Sequence, residues 1–350
     1  MDTGRPTPPW EMSDAAEAVP PQPQGTVAPP DGAPSPVPGA VDVFTPEIPP
    51  RRMGQTVGWV LASLATPVGF LLLMIIGTIV GYATAAVAGA GAGLSPEAAV
   101  ETTDAALFAS ITGQVLALVV LLPLWVMVRR RAFGPLRRRP RGAAKTLLTV
   151  AGLTAAGLGV QLSCSYLLDF ILQFLPELSA EYAEIMEGSG ISEFSLLSAL
   201  TVAVLAPVVE EIACRGLVFE FLMRAMSPGW NMRTGAQGIE PARGAVAAAI
   251  IITSVIFGLL HLNVVQSSYA IPMGILLSWV YWRTGSLWYS IGLHLVVNFS
   301  SYGVELVGTL LAPLGAPAAF ALSVAVLVVG VLAFNRGTAG ETAASGETAA

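Results

Sequence analysis

Charge is what this chain has least of. Only 11% of its 350 residues are Asp, Glu, Lys or Arg, against roughly a quarter in soluble globular proteins. Together with a mean hydropathy of +0.69, that shortage excludes a domain kept in water by a charged surface. Lys145 is the sole lysine beside sixteen arginines, and histidine occurs twice, as His261 and His294. Cysteine also occurs twice, and both Cys164 and Cys214 lie in apolar runs without Cys-x-x-Cys spacing. A disulfide framework and a cysteine zinc site are therefore excluded. The arginine, alanine and glycine bias fits a GC-rich bacterial genome.

What the chain does have is long apolar runs separated by short polar punctuation. Backbone groups in lipid must be satisfied within their own segment, so such runs predict membrane-spanning helices. The expected fold is an all-α membrane protein, a bundle of about eight transmembrane helices with disordered tails. The spans fall at roughly 55–84, 105–128, 146–168, 196–222, 244–262, 269–282, 287–310 and 317–335. Residues 1–50 hold more than half of the 26 prolines and show no hydrophobic period, which predicts a disordered, partly polyproline tail rather than a signal peptide. Residues 51–195 then carry helices 1–3, 196–312 form a core of helices 4–7, 313–336 form helix 8, and 337–350 form a second polar tail.

The charges are sorted by location. With the N-terminus in the cytoplasm, the inner segments hold Arg5, Arg51, Arg52, the cluster from Arg129 to Lys145, Arg224, Arg233, Arg243, Arg283 and Arg336. The outer loops hold Glu97, Glu101, Asp104, Glu177, Glu181, Glu184, Glu187 and Glu193, and no Lys or Arg. That asymmetry is what the positive-inside rule demands. It predicts a multi-pass protein of the cell membrane with both termini cytoplasmic. The 129–145 cluster reads as an orientation signal lying on anionic headgroups.

One arginine breaks the pattern. Arg215 sits within the fourth span beside Glu210 and Glu211, and ionisable groups at membrane depth face a polar interior. Glu211 and Arg215 are i,i+4 neighbours with the acid first, the favourable order for a pair. Glu210 is turned about 100° away and gains no partner from its own helix. The expected division is a structural Glu211 and an available Glu210. Pro207 should free the Ala203 carbonyl and kink the span, leaving room for water. Both histidines lie in later spans: His261 closes Phe257-Gly-Leu-Leu-His261, and His294 opens His294-Leu-Val-Val-Asn298. Each pair has i,i+4 spacing and shares a helix face. A carboxylate with imidazoles can activate water, and imidazole plus carboxamide can donate to an oxyanion. Alternatively, Glu210, His261 and His294 supply three metal ligands with one position open for water, zinc being the favoured ion. Singly, such residues also serve as interhelical hydrogen-bonding groups. Asp169 and Glu305 read as structural or loop-facing.

Glu-Glu-x-x-x-Arg, Phe-x-x-x-His and His-x-x-x-Asn, in that order, resemble the CPBP family of CAAX-protease and bacteriocin-processing intramembrane metalloproteases. The family is also called Abi, or type II CAAX prenyl endopeptidase. The resemblance covers roughly residues 196–310. It implies hydrolysis of a peptide bond in a membrane-associated, lipidated or membrane-tethered substrate, in a cavity that opens to the cytoplasm. Carried over by position, Glu210 and His261 activate water, His294 and Asn298 stabilise the oxyanion, and Glu211, Arg215 and Phe257 complete the motifs. The metal, zinc or none, stays open. Partners are the bilayer and that substrate; no nucleic acid is expected.

His-Glu-x-x-His, a Gly-x-Ser-x-Gly elbow in a span and an intrahelical aspartate pair are all missing, which excludes other intramembrane proteases by motif. The alternative is a non-enzymatic membrane protein: a proton-coupled transporter, or an immunity or scaffold factor. A depth mismatch also emerges. His261 lies about 27 Å along the fifth helix but His294 only about 12 Å along the seventh, running in the same direction. The two meet only if those helices are staggered or tilted.

Overall fold

The computed structural model describes residues 52–130, 140, 142–188, 194–227, 230 and 241–339, which fall in one unit of the chain, Ile48–Ala350. The Pro-rich tail, the polar C-terminus from residue 340 and most of the basic cluster after Arg130 lie outside the described residues. The helices are α1 (Met53–Gly91), α2 (Pro96–Val100), α3 (Thr103–Arg130), α4 (Ala143–Leu172) and α5 (Pro176–Gly188). A long, continuous α6 follows (Leu196–Met226). Then come α7 (Arg243–Leu259), α8 (Val264–Thr284), α9 (Leu287–Ser301), α10 (Val304–Leu311) and α11 (Ala316–Gly337). No strand occurs among the described residues.

Each expected span is helical, but the count of eight is not reached. Five helices are long and apolar enough to cross a membrane: α1, α3, α4, α6 and α11. A sixth span is obtained if α9 and the segment after it, bent by 67° at Tyr302–Gly303, count as one. The shortfall has a physical cause. At 17 residues α7 is short, and α8 replaces apolar side chains with Gln266, Ser267, Ser268, Ser278 and Arg283. These elements are held by neighbouring helices. The sixth segment, expected to be short, is a full 21 residues from Val264 to Thr284. Asn263 caps its start by accepting from the Gln266 amide at 3.0 Å. Gly285 ends it in the left-handed region at φ 64°, where glycine carries no Cβ penalty, so α9 can start two residues later.

Small residues set the outer helix pairs. On α4 and α11, a methyl group at Gly152 or Gly330 would overlap the facing backbone, at Phe334 and Ala156 respectively. On α1 and α3, Gly77 lies against Gly113, where a Cβ would stand 2.5 Å from the Gly113 Cα. Close backbone approach replaces the hydrophobic effect as the glue between lipid-exposed helices. The exposed apolar residues of α1, among them Leu61, Leu64, Val68, Ile75 and Ile79, face where lipid would lie.

The centre of the fold is α6, and its winding is irregular. A normal α turn over Ala206–Glu211 is flanked by π-helical stretches, Ala199–Leu205 and Ile212–Phe219. In a π turn each N–H bonds the carbonyl five residues back, as Ala206 does to Thr201. Pro207 has no N–H, so the carbonyl it would have met is that of Val202, not Ala203 as expected from α geometry. The Val202 oxygen instead accepts from Asn298 Nδ2 of α9 at 2.8 Å. The proline is thus the reason a later helix can bond α6 through its side chain.

Gly330→Leu is expected to separate α4 from α11 and lower the detergent-solution Tm by several degrees, whereas Gly69→Ala, with open space around it, should leave it unchanged. A Tm unaffected by Gly330→Leu would contradict backbone-to-backbone packing there.

Candidate active site

The most buried charge organises the site. Arg215 and Glu211 have no solvent-accessible side-chain surface, and Arg215 Nη1 donates to Glu211 Oε1 at 2.7 Å. Nη2 donates to the Gly274 carbonyl at 3.0 Å, and Nε to Ser278 Oγ at 3.3 Å. The guanidinium also lies over the Phe257 ring, 4.5 Å from its centroid. One cation therefore ties α6 to α8 and α7. This is the structural pair expected from the i,i+4 spacing, and its anchors on α8, Gly274 and Ser278, carry no sequence signal of their own.

Glu211 has a second partner. Its Oε1 lies 3.1 Å from His294 Nδ1. A carboxylate accepts, so Nδ1 is the donor, and this fixes the ring. The other ring nitrogen, Nε2, faces Glu210 Oε2 at 3.7 Å. His294 thus bridges the two acids that the sequence assigned separate duties. Glu210 keeps 21% of its side chain accessible, against none for Glu211, so Glu210 is the acid open to water.

His261 is not inside a helix, as its expected span implied. It lies in the turn between α7 and α8, where its Nδ1 stands 3.0 Å from the Phe257 carbonyl. A carbonyl only accepts, so Nδ1–H donates and Nε2 is left as the acceptor nitrogen of the ring. The next residue, Leu262, has φ 54°. A leucine in the left-handed region is strained, and such strain concentrates where the surroundings over-determine a functional turn. The Phe257 ring stands edge-on to both imidazoles, at 5.2 Å from His261 and 5.6 Å from His294. The depth mismatch is resolved by that contact. Phe257 is the fifteenth residue of α7 and His294 the eighth of α9, an offset of seven residues, about 10 Å of stagger or tilt.

Glu210, His261, His294 and Asn298 all line one cavity of about 590 Å³, walled further by side chains of α1, α3, α4, α5 and α8. A second, more apolar recess of about 450 Å³ shares Glu210 and His261 and is lined by Phe70, Leu71, Met74 and Ile75 of α1. Asn298 enters through the α9 face it shares with His294; one of its N–H groups is taken by Val202, leaving the second available. Asp169 and Glu305 are exposed and outside the site, as expected.

The three side chains expected as zinc ligands do not converge. Among the described residues no three His, Cys, Asp or Glu side chains form a group that could hold a metal. His294 gives Nδ1–H to Glu211 and keeps only Nε2, which faces Glu210 at 3.7 Å; no third donor among the described residues joins that contact.

The sequence reading missed a second buried ion pair. Arg224, expected in a loop, sits in the last turn of α6. It donates through Nε and Nη2 to Glu220 Oε1, both at 3.1 Å, and through Nη2 to the Val128 carbonyl of α3 at 3.1 Å. The signal was present: Glu220 and Arg224 repeat the Glu211 and Arg215 spacing nine residues on.

An all-α, multi-pass membrane protein with a carboxylate–imidazole cluster inside its bundle is the class defined by this fold and site. Residues 192–300 match the family model described as Rce1-like, type II CAAX prenyl endopeptidase, so the resemblance carried by the three motifs holds for that segment. The segment contains all seven motif residues, Glu210 to Asn298. No curated protein and no solved structure matches the chain.

Replacing Glu211 by Gln strips the full charge from the partner of a buried guanidinium, and breaking such a pair costs about 3–5 kcal/mol. The expected outcome is a large fall in Tm and in membrane yield, recovered substantially by Glu211→Leu combined with Arg215→Met. A Glu211→Gln protein of wild-type stability would refute the structural role. Asn298→Ala leaves the Val202 carbonyl unpaired and should cost about 1–3 kcal/mol, read in the same Tm assay.

Proposed function

We propose that this chain is an intramembrane endopeptidase of the CAAX-processing type, hydrolysing a peptide bond in a membrane-associated substrate. The observation that carries the reading is the unequal pair of adjacent acids. Glu211 is locked by Arg215 and His294, while Glu210, one residue earlier, opens into the cavity beside two imidazoles.

In the proposed step, Glu210 takes a proton from a water held with the free Nε2 of His261. The hydroxide attacks the scissile carbonyl carbon, and the developing oxyanion is met by the second N–H of Asn298 and by Nε2–H of a doubly protonated His294, whose Nδ1–H stays on Glu211. Collapse of the tetrahedral intermediate breaks the C–N bond, and the proton stored on Glu210 passes to the leaving amine. Glu211 acts through His294, fixing its orientation as a carboxylate does for a catalytic imidazole. Phe257 is a wedge that spaces both imidazoles and covers the Arg215 guanidinium. No step is routed through a metal, because the donor set does not form a shell for one. The substrate partner is a lipidated or membrane-tethered peptide; the 450 Å³ recess along α1 gives an apolar chain a place beside Glu210. The location is the cell membrane with both termini cytoplasmic, supported by the sorting of arginines to one side of the helices.

The test is cleavage of membrane-tethered reporter peptides by purified protein in vesicles. Glu210→Gln should lower kcat by about 10²–10⁴ without lowering Tm, the usual worth of a general base. His261→Ala is expected to do the same. Wild-type turnover by both variants would instead favour an immunity or scaffold role. Chelator should leave activity intact; loss that is restored by added Zn²⁺ would return Glu210, His261 and His294 to the role of metal ligands.

A further inference from the structure

The cavity is not centred in the bundle; it lies toward one end, and the charges identify which. The basic side chains stand at the start of α1 (Arg52), the end of α3 (Arg129), the start of α4 (Lys145), the end of α6 (Arg224), the start of α7 (Arg243) and the ends of α8 and α11 (Arg283, Arg336). Direct bonds join the ends of α3 and α6, of α3 and α8, of α4 and α11, and of α8 and α11. Arg129 donates to the Gly285 carbonyl, Arg224 to Val128, Lys145 to Ala339, and Arg283 to Asn335.

The cavity draws its lining from the opposite ends of the same helices. It takes residues 78 and 82 late in α1, 106–114 early in α3, 161–168 late in α4, 201–210 early in α6, 266–273 early in α8 and 294–301 late in α9. Tyr182 and Met186 of α5, the helix joining that end of α4 to α6, complete it. Glu97, Asp104, Glu177 and Glu305 belong to this end. Each of the six long helices named gives the same answer independently.

Arginine-rich ends stay in the cytoplasm. We propose that the cavity opens on the outer face of the membrane, opposite to the cytoplasmic opening implied by the resemblance. Its substrate is then a peptide segment of an exported chain tethered at the outer leaflet; that identity rests on the hydrolase reading, whereas the direction of opening does not. The lining fits such an occupant. Among the described residues Glu210 is its only carboxylate and no Lys or Arg lines it; besides the two imidazoles its polar surface is mostly hydroxyl and amide groups such as Ser110, Gln114, Gln161 and Ser165. Neutral donors and acceptors suit an extended, uncharged backbone, because a buried substrate charge would find no counter-ion among them.

The native thiols make this testable. Cys164 lines the cavity, while Cys214 is fully buried. Ser301, exposed at the cavity's mouth, provides a second reporter as Ser301→Cys. A charged, membrane-impermeant maleimide is applied to sealed right-side-out and inside-out vesicles, and Cys164 and Ser301→Cys are followed by peptide mass. Ser301→Cys should react roughly ten-fold or more faster from the outer face, since a charged reagent is excluded from hydrocarbon, with Cys164 following the same sidedness. Ala143→Cys, exposed at the arginine end, should react only from the inner face. Reaction of Ser301→Cys from the inside only, or from neither side, overturns the proposal. Outward labelling without Glu210-dependent cleavage would sink the hydrolase reading and leave the orientation standing; Glu210-dependent cleavage with inward labelling would do the reverse.

Discussion

A guanidinium with no access to water is the constraint from which the site follows. Left alone in a bundle interior, Arg215 would carry an uncompensated charge at a cost no single helix could bear. It is neutralised by Glu211 and its remaining donors reach Gly274 and Ser278 on α8 while its face lies on Phe257 of α7. Glu211 in turn accepts from His294 on α9. Four helices are therefore held in register by one cation and its carboxylate. The consequence reaches the next residue: Glu210, denied a cation, is left at the wall of the cavity with His294 Nε2 as its nearest ring nitrogen.

The second constraint is the missing N–H of Pro207. Because α6 winds with five-residue spacing before it, the unsatisfied acceptor falls at Val202, and only a side chain from another helix can supply the donor. Asn298 does so. The same residue that carries the last motif position is thus a strut of the backbone. Buried polar groups are satisfied or they are costly, and here that rule forces the α6–α9 alignment that also sets His294 against the two acids.

At the far end of α6 the same chemistry recurs. Glu220 and Arg224 pair, Arg224 lies over the Trp59 ring at 5.0 Å, and its Nη2 also donates to the Val128 carbonyl of α3. This pair fastens the arginine-bearing end of the bundle, while the Glu211 pair organises the end that is hollow.

Helical class, the positions of the apolar segments and a set of candidate site residues are legible in the sequence alone. Apolar runs, i,i+4 spacing and a two-histidine inventory are local properties, fixed by backbone hydrogen bonding and helix periodicity. The split between Glu210 and Glu211 is legible for the same reason, since pairing with Arg215 depends only on one turn of one helix. Tertiary structure decided the rest. Five helices, six with the bent pair, have the length and hydropathy of a membrane crossing, because α7 is short and α8 carries polar side chains. His261 left its helix, α6 wound into π turns, and His294 came to stand between two carboxylates with no metal shell, because each of these depends on contacts between segments tens of residues apart. Periodicity within a segment carries no information about the stagger between segments, and it was the stagger of α7 against α9 that assembled the site.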